Sequence, residues 1–144
     1  LLNVVGTYFA GALGERFAKK HILAFIYFTR SVVITVFLLV PLSPASVYVF
    51  AACMGVLWLS TVPPTTALVA QIFGVAHLSM LGGFVFFSHQ LGSFMGVWLG
   101  GFLYDRLGNY DIVWLLSIAL GVLAGAVNLP VRESAIERPA AQTA

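Results

Sequence analysis

A chain of 144 residues that is 60% hydrophobic and only 8% charged lies far from the roughly 45–50% and about 25% of soluble domains, and no water-soluble fold could hide that much apolar surface. Its net charge of +2 forms no stripe that could track a phosphate backbone, which excludes nucleic acid as a partner. Cys53 is the single cysteine, so neither an internal disulfide nor a cysteine-based metal cage is available, and no cofactor or metal is expected.

The few charges sit in short stretches between long uncharged ones, the pattern of membrane-crossing helices. Reading from break to break predicts an all-α, polytopic transmembrane helix bundle with spans at about 1–14, 22–40, 47–72, 79–103 and 112–131. Each of the last four supplies the ~17–25 apolar residues a crossing needs. The first reaches only ~21 Å from Leu1 to Gly14 at about 1.5 Å per residue, short of the ~30 Å hydrocarbon core, so residues before Leu1 are expected. The opening has no basic stretch or cleavage site and is not read as a signal peptide. Turn chemistry marks the breaks at 14–21, 41–46, 73–78 and 104–111. The bundle is bounded at 1–133 and a polar tail at 134–144, with the polar stretch from Arg132 onward expected to be disordered.

Basic residues orient the bundle. The first break holds Arg16, Lys19 and Lys20 and the C-terminal stretch Arg132 and Arg138, whereas the opposite side has only Arg106. The first and third breaks and the C-terminus are therefore expected in the cytoplasm, the protein in the inner (plasma) membrane, and membrane lipids among its partners. Trp114, near the outer end of the fifth span, fits an interfacial anchor.

One segment recurs. Gly11-Ala12-Leu13-Gly14-Glu15-Arg16-Phe17-Ala18 returns ninety positions on as Gly101-Phe102-Leu103-Tyr104-Asp105-Arg106-Leu107-Gly108, with Gly, Leu, acid and Arg in register. Three spans lie between the copies, which places them on opposite faces, as in the inverted three-helix repeats of secondary transporters. Gly11, Leu13, Glu15, Arg16, Lys19 and Lys20 resemble the G-x-L-x-D-R-x-G-[RK]-[RK] signature of the major facilitator superfamily, with Glu15 for the usual Asp and Ala18 for the usual Gly. The stretch from Trp58 to Thr66 and the run from Ser88 to Asp105 resemble bacterial relatives of the monocarboxylate porters. The resemblance implies that the five spans are helices eight to twelve of a twelve-helix carrier. It implies a missing N-terminal half of the same chain as a partner, and a cytoplasmic gate made by Gly11, Glu15, Arg16, Lys19 and Lys20. In that gate the acid faces a helix N-terminus of the other half, where the helix dipole favours it. A plain positive-inside anchor is the alternative.

The expected function is alternating-access transport of a small organic solute, a monocarboxylate-like anion, with proton coupling through His89. His89 and Gln90 lie mid-way along the fourth span, which the resemblance puts against the central cavity; His89 either takes up a proton near physiological pH or stays neutral and bonds between helices. Arg30 lies mid-way along the second span, where a charge costs from ~2.5 to more than ~10 kcal/mol and demands a partner. No acid lies in any span, which leaves a substrate carboxylate, backbone carbonyls, Tyr27 one turn away, or an acid elsewhere in the protein; the resemblance puts this helix at the periphery. Pro63 and Pro64 interrupt the third span and free carbonyls for cavity water or for the Thr61 and Thr65 hydroxyls, marking either a binding site or a simple helix kink. Asn3 and Thr7 share a face of the first span and are further candidates to line the cavity. Gly92, Gly96 and Gly100, like Gly121 and Gly125, recur at the spacing of close helix approach.

Three rival readings remain. A drug or cation exporter should carry a membrane-embedded carboxylate, and none is visible. An enzyme could use Ser88, Ser93 and His89, yet no orienting acid shares their depth, Asp105 being about four turns away; His21, His77 and His89 are too dispersed for zinc. A non-transporting membrane interaction fragment is the third.

Overall fold

The computed structural model describes residues 1–136. Six α-helices follow one another with no strand among the described residues: α1 (Leu2–Arg16), α2 (Lys19–Leu39), α3 (Pro44–Trp58), α4 (Val62–Phe73), α5 (Leu78–Leu107) and α6 (Asp111–Asn128), with a short 3-10 turn, Val75–His77, before α5. The all-α bundle expected from the sequence is the observed fold. Three stretches, Lys19–Leu39, Pro44–Phe73 and Asp111–Asn128, are long and apolar enough to cross a membrane. At 30 residues, α5 measures ~45 Å, longer than the ~30 Å hydrocarbon core, although it is not one of these three stretches.

Local chemistry sets the boundaries, and several differ from the sequence expectation. The first break shrinks to Phe17 and Ala18, because nothing in Gly14, Glu15 or Arg16 stops α1. Ser43 and Ser46 form a reciprocal capping box, Ser43 N–H donating to Ser46 Oγ at 2.9 Å and Ser46 N–H to Ser43 Oγ at 3.1 Å. With Pro44 as the first helical residue, α3 therefore starts three residues before the predicted 47. The fourth span continues through Tyr104-Asp105-Arg106 and ends where Gly108 turns left-handed at φ 72°, a conformation that favours glycine. The fifth stops at Asn128 instead of 131, since Pro130 has no N–H to continue the ladder. The largest change is in the third span, which is two helices separated by Leu59, Ser60 and Thr61.

Packing centres on α2, which lies against α3, α4 and α6, while α1 crosses α3 and α4. Ile22, Leu23, Ala24, Ile26, Ser31 and Ile34 of α2 are buried. The α2–α6 seam is close because Gly121 and Gly125 face it. A Cβ at Gly125 would lie 2.9 Å from Phe28 Cε1, and one at Gly121 would run into Ser31 Oγ. That approach lets Ser31 Oγ, while also lying 3.2 Å from the Tyr27 carbonyl of its own helix, reach the Ile118 carbonyl of α6 at 3.2 Å. By contrast, among the described elements α5 touches only α4, the 3-10 turn and α6, and Phe84, Phe87, Phe94 and Trp98 on it are 59–68% exposed.

Chain direction alternates between two ends. At one, the stretch after α6 returns to α2 and α4: Lys20 N–H donates to Glu133 Oε1 at 2.7 Å, Gln71 Nε2 to the Glu133 carbonyl at 2.8 Å, and Ile136 N–H to the Ile72 carbonyl at 3.0 Å. Arg132 to Ile136 thus follow a defined path rather than the disorder expected; the rest of the tail, Arg138 included, lies outside the described residues. At the other end Phe37 stacks on Phe50 at 4.2 Å, and Trp114 sits 6.0 Å from both rings. Trp114 is therefore part of an aromatic joint between α2, α3 and α6.

Candidate functional site

The interruption of the third span brings together Arg30, Ser60 and the carbonyls at the end of α3. Pro63 and Pro64 have no N–H, so Leu59 and Ser60 carbonyls cannot receive the bonds a continuous helix would supply. The chain breaks one turn upstream of the prolines: Val62 N–H, which would reach the Trp58 carbonyl in an unbroken helix, donates to Leu59 O at 3.1 Å. Pro63 and Pro64 then occupy the first turn of α4, where a missing N–H costs nothing. The expected kink is thus a full break with the prolines after it.

Arg30 fills the gap. From the middle of α2 its Nη2 donates to the carbonyls of Leu57 and Trp58, the last residues of α3, and its guanidinium lies 5.7 Å from the ring centres of both Tyr27 and Trp58. Of the partners weighed from the sequence, the backbone carbonyls and Tyr27 are present; Nε remains buried without a hydrogen bond. Ser60, 4% exposed, donates back to the Val56 carbonyl at 2.5 Å, and α1 crosses directly over this turn. A Cβ on Gly6 would collide with the Val56 carbonyl oxygen and lie 2.6 Å from Ser60 Oγ. Thr65 Oγ1 donates to the Thr61 carbonyl at 2.7 Å, which already accepts the Thr65 N–H at 3.1 Å, so this hydroxyl doubles an existing bond and does not reach the Leu59 or Ser60 carbonyls that the prolines leave. Thr61 is the residue before α4 and makes no side-chain cap. On α1, Thr7 Oγ1 donates to the Asn3 carbonyl at 2.7 Å, while Asn3 Oδ1 is buried without a hydrogen bond.

A second constellation lies beside the first. An open groove of about 390 Å³ runs between α1 and α4, lined by Gly11, Gly14 and Glu15 of α1, Lys19 of α2, and Pro63 and Pro64 of α4. Gate and kink residues, inferred from separate stretches of sequence, therefore share one surface. What reads as a loop is two helix ends: Gly11, Glu15 and Arg16 finish α1, and Lys19 and Lys20 begin α2.

His89 and Gln90 belong to neither constellation. Both are exposed half-way along α5, which does not touch α1, α2 or α3, so His89 and Arg30 are not brought together. Three participants escaped the sequence reading. Gly6 with Ala10 has the small-residue spacing that could have flagged it, buried Ser60 adjoins the examined Thr61, and Glu133 has no local signal because its partner Lys20 is 113 positions away.

Against known proteins, the family model described as Major Facilitator Superfamily matches residues 1–144. The chain is also similar to an uncharacterized MFS-type transporter, YcxA, of Bacillus subtilis (strain 168), at 22% identity over 131 residues; these cover 88% of this chain and 32% of that protein. The chain thus spans about a third of the length of this curated relative. No solved structure matches it. With apolar helices that alternate between two ends of a bundle and a family match along its entire length, the chain belongs to the Major Facilitator Superfamily.

Proposed function

We propose that this chain supplies helices eight to twelve of a secondary transporter that carries a small organic anion of the monocarboxylate kind by alternating access, coupled to protons. The observation that carries the transporter reading is the family match over residues 1–144; the mid-span break at Leu59–Thr61 supports it, since carriers build their sites where helices are interrupted. The anion is favoured because the described spans hold one partly buried guanidinium, that of Arg30, and bury no carboxylate. With both Arg30 contacts going to backbone carbonyls, the proton and substrate role falls first on His89 and Gln90, whose open face on α5 would meet the cavity once the other half of the protein is in place. Glu15, Arg16, Lys19 and Lys20 act as the cytoplasmic gate, with the groove beside Gly11 and Gly14 taking a helix end from the other half.

Uptake of labelled lactate by vesicles holding the full-length parent protein tests this reading, with and without an inward proton gradient. Accumulation should follow the gradient, and His89→Ala should remove the gradient dependence at undiminished expression. Absence of uptake of lactate and other small carboxylates under both conditions overturns the substrate class, and gradient-driven uptake by His89→Ala overturns the role of His89.

A further inference from the structure

The third span has a choice to make at Leu57 and Trp58. If α3 continued, their carbonyls would accept from the N–H groups of Thr61 and Val62. In the structure Val62 N–H turns to Leu59 O, and both carbonyls accept instead from the guanidinium of Arg30, a side chain of another helix. An orphaned carbonyl inside a membrane costs several kcal/mol, so the broken form depends on this external donor. Arg30 is suited to the task because its planar fork keeps its charge and can serve two acceptors at once, while Tyr27 and Trp58 flank the cation. The turn it closes is held from the opposite side by Gly6 of α1, whose missing Cβ leaves room for Val56 and Ser60.

We propose that Arg30 is a positioning residue: it holds the third span in its broken form by replacing the main-chain donors at the end of α3, and it acts on transport through that geometry without touching substrate. The transport part of this inference rests on the function proposed above; the helix-breaking part does not.

Two variants of the full-length parent protein separate the two parts. In Arg30→Leu the carbonyls of Leu57 and Trp58 lose their donor, and the melting temperature of the purified protein should fall by on the order of 5 °C. Replacing Pro63 and Pro64 by Ala restores two main-chain donors and lets the ladder close across the break, so Arg30→Leu in that background should lower Tm by less than half as much. Equal drops in both backgrounds, or no drop in either, overturn the proposal. Should Arg30→Leu fail to accumulate, the same cycle is run with Arg30→Lys, which keeps the charge but loses the fork and should give a smaller, equally background-dependent drop. In lactate uptake, Arg30→Leu should cut the maximal rate at least about tenfold with KM within about twofold. A raised KM at unchanged maximal rate would instead make Arg30 a substrate contact and overturn the positioning role. If the parent itself takes up no lactate, the substrate reading fails and the stability cycle alone decides the role of Arg30.

Discussion

Gly121 shows how one missing methyl group determines a helix seam. The atom that a Cβ there would strike is Ser31 Oγ, with Tyr27 O at 3.5 Å and Ser31 Cβ at 3.6 Å, both ordinary contacts. Gly121→Ala should therefore destabilise the protein by about 1–3 kcal/mol through overpacking, and the cost should nearly vanish in a Ser31→Ala background, where the struck atom is gone. Ser31→Ala alone forfeits the bond to Ile118, worth about 0.5–1.5 kcal/mol. Thermal denaturation of the four proteins in detergent checks the cycle; additive losses would show that the crowding lies elsewhere. The same residues mark a limit of sequence reading. Gly121 and Gly125 share their spacing with Gly92, Gly96 and Gly100, and the first pair makes a close seam whereas Gly92 and Gly96 have nothing within 4 Å. Spacing reveals that a helix can be approached closely, and only the fold decides by what.

At the scale of elements, the beginning of α2 poses an electrostatic problem that its own sequence does not solve. Lys19 and Lys20 stand at the positive end of the helix dipole, with no acid in the first turn and no side-chain cap. Glu133 arrives from beyond α6 and accepts the Lys20 N–H, providing both a cap and a negative charge. Glu133→Ala should lower stability by about 1 kcal/mol, and Glu133→Gln by less, because the amide oxygen still accepts the bond while the charge is lost. Hydrogen exchange at the amides of the first turn of α2 should quicken in the same order; unchanged exchange in Glu133→Ala would remove the capping role. No local pattern announces a cap supplied from 113 positions away, whereas the interruptions near Pro44 and Pro63 were readable because proline acts on its own neighbours; Pro130 acts in the same way, yet the expected fifth span ran through it to 131. The recurring segment was readable in part. Its second copy ends on Gly108, which takes φ 72° and donates its N–H to the Tyr104 carbonyl at 2.8 Å; the first has Ala18 there, and the chain leaves α1 in an extended form at Phe17, φ −119°, and starts α2 at once. Where the signature has glycine this chain has Ala18, and the expected loop is a tight corner between helices.

For the molecule as a whole, the alternation of chain direction is visible in the contacts, and the charges then select which end faces the cytoplasm. The end where Glu133 meets Lys20 and Gln71 also carries Arg16, Lys19 and Arg132. The other end, joined by the Phe37, Phe50 and Trp114 rings, has Arg106 as its counterpart. Basic residues resist translocation, so the first end should stay in the cytoplasm. Green fluorescent protein fused after Ala144 in a bacterial host should fluoresce, and alkaline phosphatase fused within Pro41–Pro44 or at Asn109 should be active, since that enzyme matures only outside the inner membrane. Reversing the balance, with Arg16, Lys19 and Lys20 changed to Gln and three lysines placed around Asn109, should weaken or invert both signals. The half-site of Arg30 makes this more than a labelling exercise. Its guanidinium closes α3 only if α2 and the third span cross the bilayer in opposite directions at matched depth, so a topology in which Pro41–Pro44 lay on the same side of the membrane as Lys19 would dismantle the break, whereas inversion of the whole bundle would keep it and move only the gate reading to the other face.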